Sequence, residues 1–156
     1  MKSFIYPIVF MLSMFGSTTL GQSLSGNLIV EGWGKTTTLK LQEPVALFKN
    51  FRDGKHKILF RFKNNSGNED LVLFQMKTTI TYNGKVVGSS SRNDWPWLPG
   101  DMYVPVEAFD FIPLLQKTTI KNKGKLAPGN YEIQLEMKPV KINSESINTT
   151  LSFKVD

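Results

Sequence analysis

Apolar and polar residues alternate with period two through most of the chain, and that period admits strands with one buried and one wet face. Ile58, Phe60 and Phe62 point one way while Lys57, Arg61 and Lys63 point the other. From Val72, the series Phe74, Met76, Thr78, Ile80 and Tyr82 alternates with Gln75, Lys77, Thr79 and Thr81. Tyr131, Ile133, Leu135 and Met137 alternate with Glu132, Gln134, Glu136 and Lys138, and Leu151, Phe153 and Val155 with Ser152 and Lys154. Beyond residue 21 no window of ten or more residues carries a sustained helical stripe. The predicted core is therefore Ile58, Phe60, Phe62, Val72, Phe74, Met76, Ile80, Tyr131, Ile133, Leu135, Leu151 and Phe153.

Turn chemistry separates the runs. Asn83-Gly84 is a two-residue hairpin signal. Arg52-Asp53-Gly54-Lys55, Asn64 to Asn68, Pro99-Gly100 and Pro128-Gly129 are further breaks. Earlier strands are predicted at Leu28–Trp33, Thr37–Leu41 and Ala46–Lys49. No repeat or linker divides residues 22–156, so they read as a single domain. Short sequential strands at this spacing predict an all-β fold, an antiparallel β-sandwich of about eight strands.

Two turns carry a resemblance. Leu98-Pro99-Gly100-Asp101 precedes a strand-like run, and Leu126-Ala127-Pro128-Gly129-Asn130-Tyr131-Glu132-Ile133 precedes the penultimate strand. The second resembles the L-x-P-G-x-Y-x-hydrophobic lead-in to a late strand of bacterial extracellular immunoglobulin-like domains. The resemblance spans Gly26–Asp156 and implies an immunoglobulin-like sandwich with an accessory binding role. It implies no activity. The cysteine pair of true immunoglobulin domains is absent.

Residues 1–21 read as a signal peptide. Lys2 and the amine form a positive n-region, Phe4 to Phe15 an apolar run, and Thr19-Leu20-Gly21 puts small residues at the −3 and −1 positions of a cleavage site. The apolar run is shorter than the roughly 20 residues a membrane span needs. Cleavage is expected between Gly21 and Gln22. The expected product is a secreted or periplasmic chain with no integral membrane segment.

Composition narrows the chemistry. With no cysteine there is no disulfide, thiolate zinc site or cysteine nucleophile, and one histidine cannot build a multi-histidine metal centre. Without Lys2 the chain holds 18 basic and 13 acidic residues, a net of +5, which favours anionic partners. Arg52, Arg61 and Arg92 are the only arginines. Arginine is the residue suited to bidentate phosphate recognition, so its scarcity argues against nucleic acid.

Ser89 to Tyr103 is the segment richest in binding chemistry. It holds Trp95, Trp97 and Tyr103 with Arg92, Asp94 and Asp101, and Pro96 and Pro99 stiffen it. A rigid aromatic loop with polar flanks suits a sugar, which has apolar C–H faces and a polar rim; the alternative is that an indole plugs the sandwich. Lys117, Lys121, Lys123 and Lys125 form a lysine arm, and the last three would share one side of an extended segment. Asp94, Asp101, Glu107 and Asp110 match no calcium-loop spacing, and Glu107 and Asp110 fall on opposite faces if Tyr103–Phe111 is a strand. His56, between Lys55 and Lys57, reads as a solvated turn residue, and no nucleophile elbow accompanies it. Sequons at Asn64 and Asn148 would matter only in a eukaryotic secretory path.

The sequence thus predicts a non-catalytic protein without metal or cofactor. Its expected partner is an acidic polysaccharide, bound through Arg92, Asp94, Trp95, Trp97, Tyr103, Lys121, Lys123 and Lys125. The expected setting is a system that degrades or imports sulfated or uronate-rich algal glycans. The alternative is an extracellular protein-interaction module or protease inhibitor presenting residues 94–100.

Overall fold

The computed structural model describes residues 23–34, 37–38 and 44–156. The expected signal peptide, its expected cleavage site and residues 39–41 of one predicted strand lie outside the described residues. The strands are β1 (Leu24–Glu31), β2 (Thr37–Thr38), β3 (Lys57–Asn64), β4 (Val72–Tyr82), β5 (Lys85–Trp97), β6 (Gly100–Val104), β7 (Gly129–Pro139) and β8 (Ile147–Val155). They form two sheets, β1-β3-β6 and β2-β8-β7-β4-β5, packed as a β-sandwich. Pairing is antiparallel except where the two residues of β2 join β8.

The period-two reading holds residue by residue. Phe60, Phe62, Phe74, Ile80, Ile133, Leu135 and Leu151 are fully buried, and the rest of the predicted core is buried with them. Phe60 stacks on Phe62, and both meet Phe74 edge-on at centroid distances of 5.2 and 5.0 Å. Those contacts join β3 of one sheet to β4 of the other. Asn83 and Gly84 both have positive φ, 48° and 77°, as a type I′ hairpin between β4 and β5 requires. Gly129 has φ 148°, and a Cβ there would meet the Tyr82 ring at 2.6 Å, so the Pro128-Gly129 turn demands glycine. Two residues on, the Tyr131 hydroxyl donates back to the Ala127 carbonyl at 3.0 Å, a tyrosine corner.

Three expectations are corrected. Ala46–Lys49 belongs to a helix, α1 (Pro44–Arg52), not a strand. Pro44, Leu47 and Phe51 are its buried residues, a helical stripe too short for a ten-residue window to register. Pro44 opens it, where a missing N–H costs nothing. The run from Tyr103 to Phe111 is not one strand either: β6 ends at Val104, and a 3₁₀ turn over Val106–Phe109 leads into α2 (Phe111–Thr118). Lys121, Lys123 and Lys125 do not alternate along an extended segment. Ile120–Asn122 is a second 3₁₀ turn, and Lys123 and Gly124 have positive φ.

The helical segment completes the smaller layer. The three-stranded sheet is narrower than its partner, and α2 covers the inner side of β4 and β5 that it leaves open. A Cβ on Gly88 of β5 would sit 3.5 Å from Leu114 of α2. The buried Thr78 hydroxyl of β4 donates to the Phe109 carbonyl. Phe51 of α1 meets Phe111 of α2 edge-on at 5.4 Å, so the two helices close one end of the core.

Phe74→Ala removes the ring that both Phe60 and Phe62 contact, and the cavity left should cost about 3–5 kcal/mol. Urea unfolding should therefore show a midpoint at least about 1 M below that of the wild type. A midpoint equal to that of the wild type would contradict the strand phase.

Candidate functional site

The residues singled out in the sequence are dispersed. Trp95 and Trp97 are not loop residues; they belong to β5, where they pair with Phe74 and Val72 of β4. Their side chains take the phase of those buried partners, so both indoles turn toward the core and are half-buried. The rings stack 6.4 Å apart, and Trp97 meets Phe60 edge-on at 6.2 Å. The Trp97 indole nitrogen is buried without a hydrogen-bond partner. Trp97 therefore plugs one end of the sandwich rather than presenting a flat platform. Pro96 faces Leu73 in an edge strand, where a missing donor is tolerated.

Arg92 is engaged within the fold. Its guanidinium forms a two-pronged pair with Asp110 and lies 6.0 Å from the Trp95 ring. That pair holds the Asp110 carboxyl below the usual carboxylate range, the hydrogen bond being the main cause. Asp94 is exposed, with φ 62°, at a bulge in β5. Asp101 pairs with Arg61 on the outer face of the small sheet. The four acidic residues of the sequence reading thus go to separate places. The lysine arm and the tryptophans also part. The arm leads into Gly129, beside the Tyr82 end of β4, while Trp97 lies at the Val72 end, and ten residues of strand span about 33 Å.

Two predicted site residues open onto cavities: Asp94 borders a shallow one with Gln75, Asn93 and Lys138, and Tyr103 borders the larger. Register places Tyr103 beside Leu59, which pairs with Ile29, so an apolar row crosses the outer face of the small sheet. The Tyr103 ring is 58% exposed, with the Lys57 ammonium 5.4 Å from its centre and its hydroxyl donating to Glu31 at 3.4 Å. Next to it lies a cleft of about 460 Å³ between the start of β3, the end of β6 and α1. Phe51, Ile58, Val104 and Val106 make its apolar floor; Arg52, His56, Lys57, Tyr103 and Glu107 make its polar wall.

His56 is not the solvated turn residue its neighbours imply. The turn after α1 folds back, with the Lys55 and His56 amides donating to the Asn50 carbonyl. The imidazole is then held edge-on against Trp33 at 5.0 Å and Phe51 at 5.4 Å. Its Nδ1 is 3.1 Å from the Gly32 carbonyl, which can only accept, so Nδ1 carries the proton and Nε2 is the free acceptor. Burial lowers the His56 pKa, the Gly32 bond opposes that shift, and the Lys55 charge adds to it.

Arg52, Lys57, His56 and Glu107 escaped the sequence reading of the site. Lys57 is legible as an outward strand residue, and Arg52 as part of a break. Their meeting with Tyr103 depends on the pairing of β3 with β6, which no local spacing signals. No protein-family model matches the chain, and neither curated proteins nor solved structures yield a match.

The His56 shift has a pH consequence. Its folded pKa lies below the ordinary value of about 6.5, so as pH falls the unfolded chain takes up the proton first. Stability is fully present above about 6.5 and is lost as pH drops toward the lowered value. Calorimetry should show Tm beginning to fall as pH drops below about 6.5, above the range where carboxylates titrate. In His56→Gln that slope should flatten; an unchanged slope would assign it to other groups.

Proposed function

We propose that the protein is a non-catalytic, secreted or periplasmic accessory module of immunoglobulin-like type that binds an acidic polysaccharide. Its setting would be a system that degrades or imports sulfated or uronate-rich glycans. The observation that carries the binding reading is the exposed Tyr103 ring at the mouth of a cleft walled by Arg52 and Lys57. An aromatic face suits the C–H side of a sugar ring, and the two cations suit its sulfate or carboxylate. Glu107 offers an acceptor for a hydroxyl. The lysine arm adds long-range attraction for a polyanion without shaping a pocket. The immunoglobulin-like part of the reading is supported by the tyrosine corner at Tyr131 and by strand order. The series β1-β3-β6 and β8-β7-β4 parallels the A-B-E and G-F-C series of that fold, with β5 extending the second sheet.

The test is retention on a sulfated or uronate-bearing polymer across a salt series. Arg52→Ala and Lys57→Ala should each weaken retention several-fold and flatten its salt dependence, because they remove charge screened over about 10 Å at 0.1 M salt. Tyr103→Ala should weaken it with little change in salt slope. Trp97→Ala should act through stability instead. Absence of retention at low salt would end the glycan reading. The interaction-module reading would then lead, with Leu98, 56% exposed where the chain crosses between sheets, as its anchor.

A further inference from the structure

Strand β5 forms the outer edge of the larger sheet, and among the described residues no strand pairs with its far side. It is 13 residues long and accessible along its length, with Val86 66% and Val87 41% exposed. A strand edge presents a row of unpaired N–H and C=O groups, which another strand can satisfy. Between Lys85 and Arg92 the sequence Val-Val-Gly-Ser-Ser-Ser has no charge and no proline to discourage such pairing.

The strand also has a symmetry. Its two irregularities against β4 fall at Val86–Gly88 and at Arg92–Trp95, where Val87 and the pair Asn93–Asp94 have no regular partner. Val86 and Val87 lie opposite Thr81, on the outer face; Asn93 and Asp94 lie opposite Gln75, on the same face. The two bulges are therefore equidistant from Ser90. We propose that β5 is a self-association edge, on which a second copy of this chain pairs antiparallel about a two-fold axis through Ser90.

In that register Ser89 faces Ser91 of the second copy, Val86 faces Asp94, and Lys85 faces Trp95. Every opposed pair lies on the same face of the joined sheet, as an antiparallel pair demands. A regular foreign strand would slip out of phase on passing either bulge; a second copy sets bulge against bulge. Small residues occupy the axis. At each end the Lys85 ammonium comes beside the Trp95 ring on the inner face, and Lys85 has no ion-pair partner among the described residues. This association is isologous and self-limiting, and it joins two five-stranded sheets into one.

The experiment uses the absence of cysteine. Ser90→Cys is close to isosteric and gives each chain a lone thiol. On the axis the two Cα atoms would lie about 5 Å apart, within disulfide range. In Ser91→Cys they would be two residues out of register, at about 8 Å and outside that range. Sedimentation equilibrium of the wild type should show dimer rising with concentration. Under mild oxidation Ser90→Cys should cross-link about tenfold faster than Ser91→Cys. Mixed Ser89→Cys and Ser91→Cys chains should cross-link to each other, which keeps the register testable if Ser90→Cys does not fold. A monomer up to millimolar concentration, equal cross-linking at 90 and 91, or capture of an unrelated extended peptide by a monomer would overturn the proposal.

Discussion

Three phenylalanine rings set the relation between the two sheets. Phe60 and Phe62 lie on β3, Phe74 on β4, and each of the first two meets the third edge-on. Edge-to-face contact is the favoured geometry for aromatic pairs, and it fixes position more tightly than aliphatic packing does. Once β3 faces β4 in this way, the phase of every paired strand follows from register. Lys57, Leu59 and Tyr103 must then face outward from the small sheet. Trp95 and Trp97 must face inward from the large one.

The sheets are unequal, and the cleft follows from that inequality. Three strands cannot cover five. The chain fills the difference with the helical segment after β6, whose buried residues Phe109, Phe111 and Leu115 close the core beneath β4 and β5. Helix α1 seals the neighbouring end through Leu47 and Phe51. Where α1, the turn at Gly54 and the end of β6 meet without interlocking, a cavity remains, and its rim carries two cations and a tyrosine. Arg92 with Asp110 ties β5 to α2, and Arg61 with Asp101 bridges β3 and β6 at an exposed position where such a pair contributes little stability.

The long edge of β5 is the other consequence of unequal sheets. The small sheet ends in a five-residue strand, and the large one in a strand of 13 residues with polar faces on its outer side. The charged and irregular positions of β5 lie toward its two ends, leaving small, uncharged residues at the centre.

Strand phase, the hairpin at Asn83-Gly84 and the core were legible in the sequence. Each depends on spacing of two to four residues, and steric alternation or turn chemistry acts at that range. Helix α1 was misread because nine residues hold too few turns for periodicity to separate a stripe from a short apolar run. The site was harder still. Trp95, Trp97 and the lysine arm stand out in composition, but composition does not say which face of a strand a residue occupies or which end of a sheet it reaches. Lys57 and Tyr103 are 46 positions apart in the chain, and only the β3–β6 register brings them together. Local sequence determined which segments are strands and which side of each is apolar. Tertiary structure alone decided which outward residues share a cleft, because that depends on long-range pairing between strands whose order in the sheet no short-range interaction encodes.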